Sequence, residues 1–438
     1  MLWRTIGRVV EAKSLLPEQN SASVKLNILT LAPTMFFADY GAHVRIFEEV
    51  TILQTLGHQI TILAYPNGRD IEGIQVKRCW GLPFNYRIIV GSSRHKIYLD
   101  VLLGIMAVWH ALRYKPDIIH AHLHEGALLG WLLSKLTGAP LVFDFQGSLT
   151  SEMIDHNFLR PGGLRHKFLR WLETRIDHAA DVILTSSTHA AYLLVEKFGV
   201  SAPKIYPTPD CVNARIFCPD NFSDNDKRRL KKSLNLPLDK KIIVYLGVLT
   251  PYQGIDKLLE ALTLLARANT DYHLLLMGYP DAGQYRQKVK AMGLADSVTF
   301  TGKIPYQDAP RYLALGDIAV APKISATEGS GKILNYMALA LPTVAFNTPV
   351  SREFLGDGGI YAMEVSGAAL AEALQKALSK STEERARLGQ YLRQRVRRNF
   401  SWQAAGEQID AIYHALLTGE PLPATELWAA HHKLSGNP

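Results

Sequence analysis

The sequence predicts an α/β protein built from two doubly wound, Rossmann-like domains that face each other across a cleft. Three observations predict it. Short apolar, β-branched runs alternate with amphipathic helical stretches for most of the 438 residues. The chain is longer than one core sustains, because a single core seldom grows past roughly 250 to 300 residues. The alternation also breaks once, in a polar stretch from Pro209 to Lys240, and then restarts with the same opening of strand, Gly-containing loop and helix.

The elements follow in order. Lys25 to Leu31 is a short apolar run closed off by Pro33, followed by a polar loop with Gly41 and an amphipathic helix from about His43 to Leu56. Gly57-His58 ends that helix and Gln59 to Ala64 is the next strand. Asp117 to Ala121, Pro140 to Phe145 and Asp181 to Ser186 have the character of buried parallel strands. In the second half, Lys241 to Leu246 is a strand, Gly247 to Gly254 a loop and Ile255 to Arg267 a helix. His273 to Met277, Ser297 to Phe300, Asp317 to Ala321 and Thr343 to Phe346 are further strands, and Gly367 to Leu417 is helical. The expected division is an extension over 1–24, a first domain over 25–210, a linker over 211–240 and a second domain over 241–400. A helix over 401–417 returns to the first domain, and a fraying tail covers 418–438.

Composition narrows the function. A net charge of +8 spread over both halves lacks the concentrated basic face of a nucleic-acid binder, so no nucleic-acid partner is expected. Cys79, Cys211 and Cys218 match neither a zinc site nor a disulfide framework, which points to a reducing compartment. Met1 to Asn20 lacks the apolar block of a signal peptide, and the run Val101 to Leu112 is short for a bilayer span. A cytoplasmic protein is expected, with membrane contact confined to the surface, at the inner face. The helix from Leu164 to Ile176 carries Leu164, Phe168, Trp171, Leu172 and Ile176 on one face, with Arg165, Lys167, Arg170 and Arg175 largely off it. That pattern fits a helix lying on a membrane, or one packed on its own sheet with its basic residues outward.

In doubly wound sheets ligands sit beyond the carboxyl ends of the strands, so the loops there carry the chemistry. Glu328-Gly329-Ser330-Gly331-Lys332, leading into a helix through Asn335, brings backbone N–H groups, a helix N-terminus and a full positive charge to one place. This suits a nucleotide diphosphate, which gains charge as a glycosidic bond breaks. It is not a P-loop, because Ile333 stands where Ser or Thr would hold magnesium. The turn with Gly247, Thr250, Gln253 and Gly254 can offer more N–H groups to phosphate. Alternation places His120, His122 and His124 on one side of a strand end, beside Glu125. No complementary ligand set follows downstream, so sugar hydroxyls rather than a metal are the expected contacts. Gln146 and Gly147 close another strand and can also meet a sugar. Asp224-Asn225-Asp226 imitates the Asp-x-Asp of metal-dependent transferases but lies in the polar linker.

Together these segments resemble the retaining GT-B glycosyltransferases of family four. The likeness runs from about Lys25 to Leu416. It rests on Lys115-Pro116-Asp117-Ile118-Ile119-His120-Ala121-His122, on Pro209-Asp210-Cys211-Val212-Asn213-Ala214-Arg215-Ile216-Phe217, and on Gly254-Ile255-Asp256-Lys257-Leu258-Leu259-Glu260-Ala261. Thr301-Gly302-Lys303-Ile304-Pro305 and Tyr336-Met337-Ala338 before Pro342-Thr343-Val344-Ala345 extend it. The resemblance implies a C-terminal domain that binds a nucleotide sugar and an N-terminal domain that binds the acceptor, with Gly41, His122, His124, Glu125, Gln146 and Gly147 on the acceptor side. It implies a reaction without metal or cofactor and with retention, the leaving phosphate guiding the incoming hydroxyl. The acceptor class stays open among glycans, lipid-linked sugars and small molecules. Base contacts are expected near Gly302, Lys303 and Ile304.

The chain departs from the family at its cations. Val248 stands where the family commonly has Arg, and Gln253 where it has Lys. Lys332 is expected to replace one of them. Glu328 corresponds to the family's first Glu, one residue nearer than usual, and Asn335 to the Glu that holds the ribose. Glu328 and Lys332 are therefore the expected catalytic pair. The departures leave two rivals, a non-catalytic relative that binds a nucleotide sugar or glycan, and a nucleotide-sugar epimerase of the same fold.

Overall fold

The computed structural model describes residues 24–81, 96–156, 158–268, 270–325 and 327–424. The extension over 1–24 and the tail over 418–438 fall largely outside the described residues.

The first sheet is parallel and seven-stranded, with β1 (Asn27–Ala32), β2 (Gln59–Ala64), β3 (Val76–Arg78), β4 (Ile118–His122), β5 (Leu141–Phe145), β6 (Val182–Thr185) and β7 (Ile205–Pro207) in the order β3-β2-β1-β4-β5-β6-β7. Its helices are α1 (Gly41–Thr55), α2 (Lys96–Tyr114), α3 (Leu123–Thr137), α4 (Leu149–Asp155), α5 (Leu164–Ala179) and α6 (Thr188–Phe198). α7 (Asp224–Ser233) lies in the polar connection and buries none of its side chains.

The second sheet is also parallel, with β8 (Lys241–Val248), β9 (Tyr272–Tyr279), β10 (Val298–Gly302), β11 (Ile318–Ala321), β12 (Thr343–Phe346) and β13 (Ile360–Ala362) in the order β10-β9-β8-β11-β12-β13. It carries α8 (Ile255–Arg267), α9 (Ala282–Ala291), α10 (Ala309–Leu313), α11 (Gly331–Ala338), α12 (Pro349–Leu355), α13 (Gly367–Ser379) and α14 (Thr382–Asn399), and the chain ends its described helices with α15 (Trp402–Thr418).

Both sheets thus follow one strand order, with the reversal between β1 and β4 in the first and between β8 and β11 in the second. The predicted doubly wound α/β class is correct. The strands that the pattern missed, β3, β7 and β13, are all three-residue edge strands. An edge strand is buried on fewer sides and shows no continuous apolar run.

Two layers cover the first sheet. Leu99, Leu103 and Ala107 of α2, Leu133 of α3 and Ile176 of α5 bury against one face. Ile46, Val50 and Leu53 of α1 cover the other, together with Ile409, Ile412 and Tyr413 of α15. α15 is held there by polar contacts too, since His58 meets Asp410 at 2.8 Å and His120 meets the Tyr413 hydroxyl at 2.6 Å.

Candidate functional site

The two reversal points face each other, and a cavity of about 310 Å³ lies between them. The domains close around it through direct bonds. Tyr306 donates its hydroxyl to Glu48 at 2.8 Å and its N–H to Asp39 at 3.0 Å, and Glu353 accepts from the backbone N–H of Thr188 at 2.7 Å.

The C-terminal wall is built at the end of β8, the end of β11 and the start of α11. Tyr245 and Tyr336 are fully buried and tie this corner together. The Tyr336 hydroxyl accepts from Leu246 N–H at 2.9 Å, and the Tyr245 hydroxyl donates to Val248 O at 2.9 Å. Lys332 reaches back from α11 into the gap this leaves. Its ammonium donates to Gln253 Oε1 at 2.7 Å and to the Tyr245 hydroxyl at 3.2 Å, and lies 4.4 Å from the centre of the Tyr245 ring. A Cβ on Gly247 would come within 2.5 Å of that ammonium, so the turn needs glycine there.

Lys332 forms no ion pair among the described residues. Burial, and then the charge of Lys323, hold its pKa well below the ordinary value. Lys323 stands just past the end of β11, where it donates to Glu328 Oε2 at 2.7 Å and to Gly329 O at 2.6 Å. Ser330 is buried at the cavity wall with a hydroxyl that has no partner among the described residues. Gly331 and Lys332, the first residues of α11, line the same space, while the Ile333 N–H donates to Ser330 O at 2.9 Å. Two ammonium groups, a free hydroxyl and a helix N-terminus meet here the carboxylates of Glu328 and of Asp210, whose Oδ2 lies against Gly329.

The N-terminal wall has the opposite character. Arg45 of α1 makes a double bond pattern to Asp144, with Nε and Nη2 at 3.0 and 2.7 Å from Oδ1, and reaches Asp210 at 3.2 Å and Glu49 at 3.3 Å. Burial alone would raise the Asp144 pKa, but Arg45 and His122 hold it well below the carboxylate range. Nearer the cavity, Lys96 donates to Glu125 at 3.0 Å. Glu152 is pushed up to about 7, first by burial and then by Glu328 across the cleft.

The structure brings Glu328, Gly329, Ser330, Gly331, Lys332, Asn335, Gly247, Gln253, Ile304, Gly41, His124, Glu125, Gln146 and Gly147 to the cavity wall. Five expected residues lie off that wall. Gly254 has a positive φ of 75° and a Cβ there would meet Pro322 O at 1.8 Å, so the turn into α8 needs glycine. Thr250 precedes the short turn Pro251–Gln253 with its hydroxyl buried. Gly302 ends the edge strand β10. Lys303 pairs at 3.1 Å with Asp39 at the rim. His122 is sealed beneath the wall, 2.9 Å from Asp144.

The three histidines do not share a side. β4 ends at His122 and α3 begins at Leu123, whose φ of 62° turns the chain. His120 and His122 stack at 4.6 Å, while His124 points to Asp177 at 3.3 Å. Two groups nonetheless have metal-like spacing, Glu49 with His120 and His122, and Glu152 with His156 and Glu328. In each a cation already stands, Arg45 in the first and Lys323 in the second. Lys323 and Arg45 were missed from sequence. The signal for Lys323 was its place just after a buried strand at the reversal point.

Comparison with known proteins agrees with this geometry. A family model described as "Glycosyl transferases group 1" matches residues 226–395, and one described as "Glycosyl transferase 4-like domain" matches 40–210. The alpha-D-kanosaminyltransferase of Streptomyces kanamyceticus is 25% identical over 92% of this chain and 98% of its own length. Among solved structures, sucrose-phosphate synthase from Thermosynechococcus elongatus superimposes with a TM-score of 0.76 at 20% identity, covering 90% of this chain and 100% of that one. The Anabaena HepE protein in complex with UDP-glucose gives 0.71 at 15% identity, covering 88% and 98%.

Proposed function

We propose that the chain, whose halves match the glycosyl transferases group 1 and glycosyl transferase 4-like models and which moves a sugar from a nucleotide sugar, retains the anomeric configuration and needs no metal ion. The observation that carries the proposal is the pair Lys323 and Lys332, converging with Ser330 and the start of α11 on one end of the cavity. The two ammonium groups there neutralise the charge of a diphosphate, as a divalent cation otherwise would.

In this reading the nucleotide lies over α11 with its ribose at Asn335, and its sugar points across the cleft toward Gln146, Gly147 and Glu328. The acceptor hydroxyl enters from the side of Glu125 and Glu152. The bond from the anomeric carbon to the phosphate oxygen breaks, the acceptor oxygen bonds to that carbon on the same face, and the acceptor proton passes to the departing phosphate oxygen. Lys332 and Lys323 stabilise the developing phosphate charge, and Glu328 orients the sugar hydroxyls. UDP-glucose, bound by HepE, is the first donor to try.

The test is thermal unfolding with UDP, GDP, ADP and CMP, each with magnesium and with EDTA. A ligand at 100 times its Kd adds about 2.7 kcal/mol and raises Tm by several degrees. A shift with one nucleotide that is indifferent to EDTA supports the reading. A shift that requires magnesium removes metal independence, and no shift with any nucleotide removes the donor site. NMR of the glycoside product then reads the anomeric configuration, and inversion defeats the retaining mechanism.

A further inference from the structure

We propose that α2, α3 and α5 together form a docking face for the surface of an anionic lipid bilayer. These helices lie side by side on one face of the first sheet and bury their inner stripes against it. Their outer stripes are apolar. On α2, Ile97, Val101, Ile105, Trp109 and Leu112 follow a spacing of four, four, four and three and are each more than half exposed. On α3, Leu128, Trp131, Leu132 and Leu136 repeat the pattern, and on α5 Leu164, Phe168 and Trp171 do the same. A patch this broad is unusual on a surface that faces only water.

Charge identifies the occupant. The acidic residues of the three helices are Asp100, Glu125, Glu173 and Asp177, and none of them is exposed. Each is turned inward, Asp100 to Tyr65, Glu125 to Lys96, Glu173 to Thr150 and Asp177 to His124. The exposed ionic side chains on these helices are Arg113, Lys135, Arg165, Lys167 and Arg175, all basic. Apolar side chains flanked by cations of one sign match the acyl and anionic headgroup layers of a bilayer. A protein partner or a second copy of this chain would have to supply an acidic rim, and the second copy would oppose cation to cation.

α2 is long and apolar enough to cross a membrane by length and composition. Leu99, Leu103, Ala107 and Ala111 are committed to the sheet, however, so its outer stripe alone is free for lipid. The helix on 164–176 splits in the same way, with Leu172 and Ile176 inward and Leu164, Phe168 and Trp171 outward. α2 and α3 both start at the cavity, where Lys96 and Glu125 line the wall, so a bilayer seated here adjoins the cleft.

Co-sedimentation of the full chain with vesicles tests the proposal. Vesicles of phosphatidylcholine with about one third phosphatidylglycerol should bind it, and phosphatidylcholine alone should bind it far more weakly. Ile105→Glu with Trp109→Glu should weaken binding by about tenfold or more at unchanged Tm. Arg165→Gln with Lys167→Gln, at about fivefold per cation, should weaken it roughly 25-fold and flatten its salt dependence. The second pair keeps the test decisive if the first unfolds the chain. Failure of the wild type to bind anionic vesicles overturns the proposal, as does binding that both pairs leave unchanged. A concentration-dependent dimer in sedimentation velocity that Ile105→Glu with Trp109→Glu abolishes, without vesicle binding, assigns the face to a second copy instead.

Discussion

The two reversal points of this molecule share one topology and handle charge in opposite ways. In the N-terminal half Arg45 meets Asp144, Asp210 and Glu49, so the guanidinium is saturated and the negative charge is in excess. In the C-terminal half Lys332 bonds, among the described residues, only to the neutral Gln253 and Tyr245, and Lys323 pairs with the carboxylate of Glu328. A buried cation surrounded by carboxylates holds the structure together, whereas a half-buried cation without one is open to an anion. The same fold therefore yields a strut on one side of the cleft and, on the other, the place proposed here for the donor phosphate.

The largest expected effect comes from breaking the strut. Arg45→Met leaves Asp144, Asp210 and Glu49 buried together without their cation, and should lower unfolding stability by about 3 to 5 kcal/mol. Chemical denaturation reads this directly. A loss as small as that of a surface mutation would mean that the N-terminal cluster is not the strut described.

Lys332→Met should do the reverse. It removes a half-buried charge that lacks a counter-ion among the described residues, so Tm should hold or rise, while nucleotide affinity should fall by about 1.5 to 3 kcal/mol, or roughly 10- to 150-fold. Calorimetric titration with the nucleotide found in the thermal screen measures it. Equal affinity in the variant would remove Lys332 from the site.

The pH dependence sharpens the contrast further. The pKa of Lys332 is depressed in the free protein by burial and by Lys323, and a bound diphosphate must raise it. Between the free and bound values, binding takes up a proton, so affinity falls with rising pH by at most about tenfold per unit. Titrations in buffers of different ionisation enthalpy, above the phosphate's own titration, should show uptake in the wild type and none in Lys332→Met. Arg45 should show no such linkage, because its carboxylates keep it charged throughout.

A charge exchange produces a smaller effect. Gln253→Lys alone sets a second ammonium beside Lys332, whose bond to position 253 is 2.7 Å long, and should lower the Tm of the nucleotide-free protein by a few degrees through like-charge repulsion. Adding Lys332→Gln moves the cation back to the turn and should recover most of the loss. Smallest of all is Lys303→Ala, which breaks a rim pair to Asp39 with Lys303 42% exposed. It should change stability by less than about 1 kcal/mol.

Much of this was legible in the sequence. The central strands β1, β4, β5, β8, β9 and β11 are buried on both faces, and their apolar runs showed it. Gly329 to Lys332 was legible as well, because a Gly-rich turn that opens a helix has a local purpose. Lys323 was not, since one lysine after a strand has no pattern until β11 is placed beside β8. Arg45 was hidden for a related reason: its partners Asp144 and Asp210 lie 99 and 165 residues away. Periodicity also misled at His124, where a strand rule was carried two residues past the strand into α3.

The sequence by itself determined the two-domain α/β class and the glycine-rich helix start whose chemistry suits phosphate. These follow from local periodicity, turn chemistry and length, which need no knowledge of what lies across the sheet. Only the tertiary structure decided which cations are satisfied and which are free, which apolar stripes are covered and which face outward. Charge compensation and burial depend on neighbours distant in the chain, so they take definite values only once the fold has brought those neighbours together.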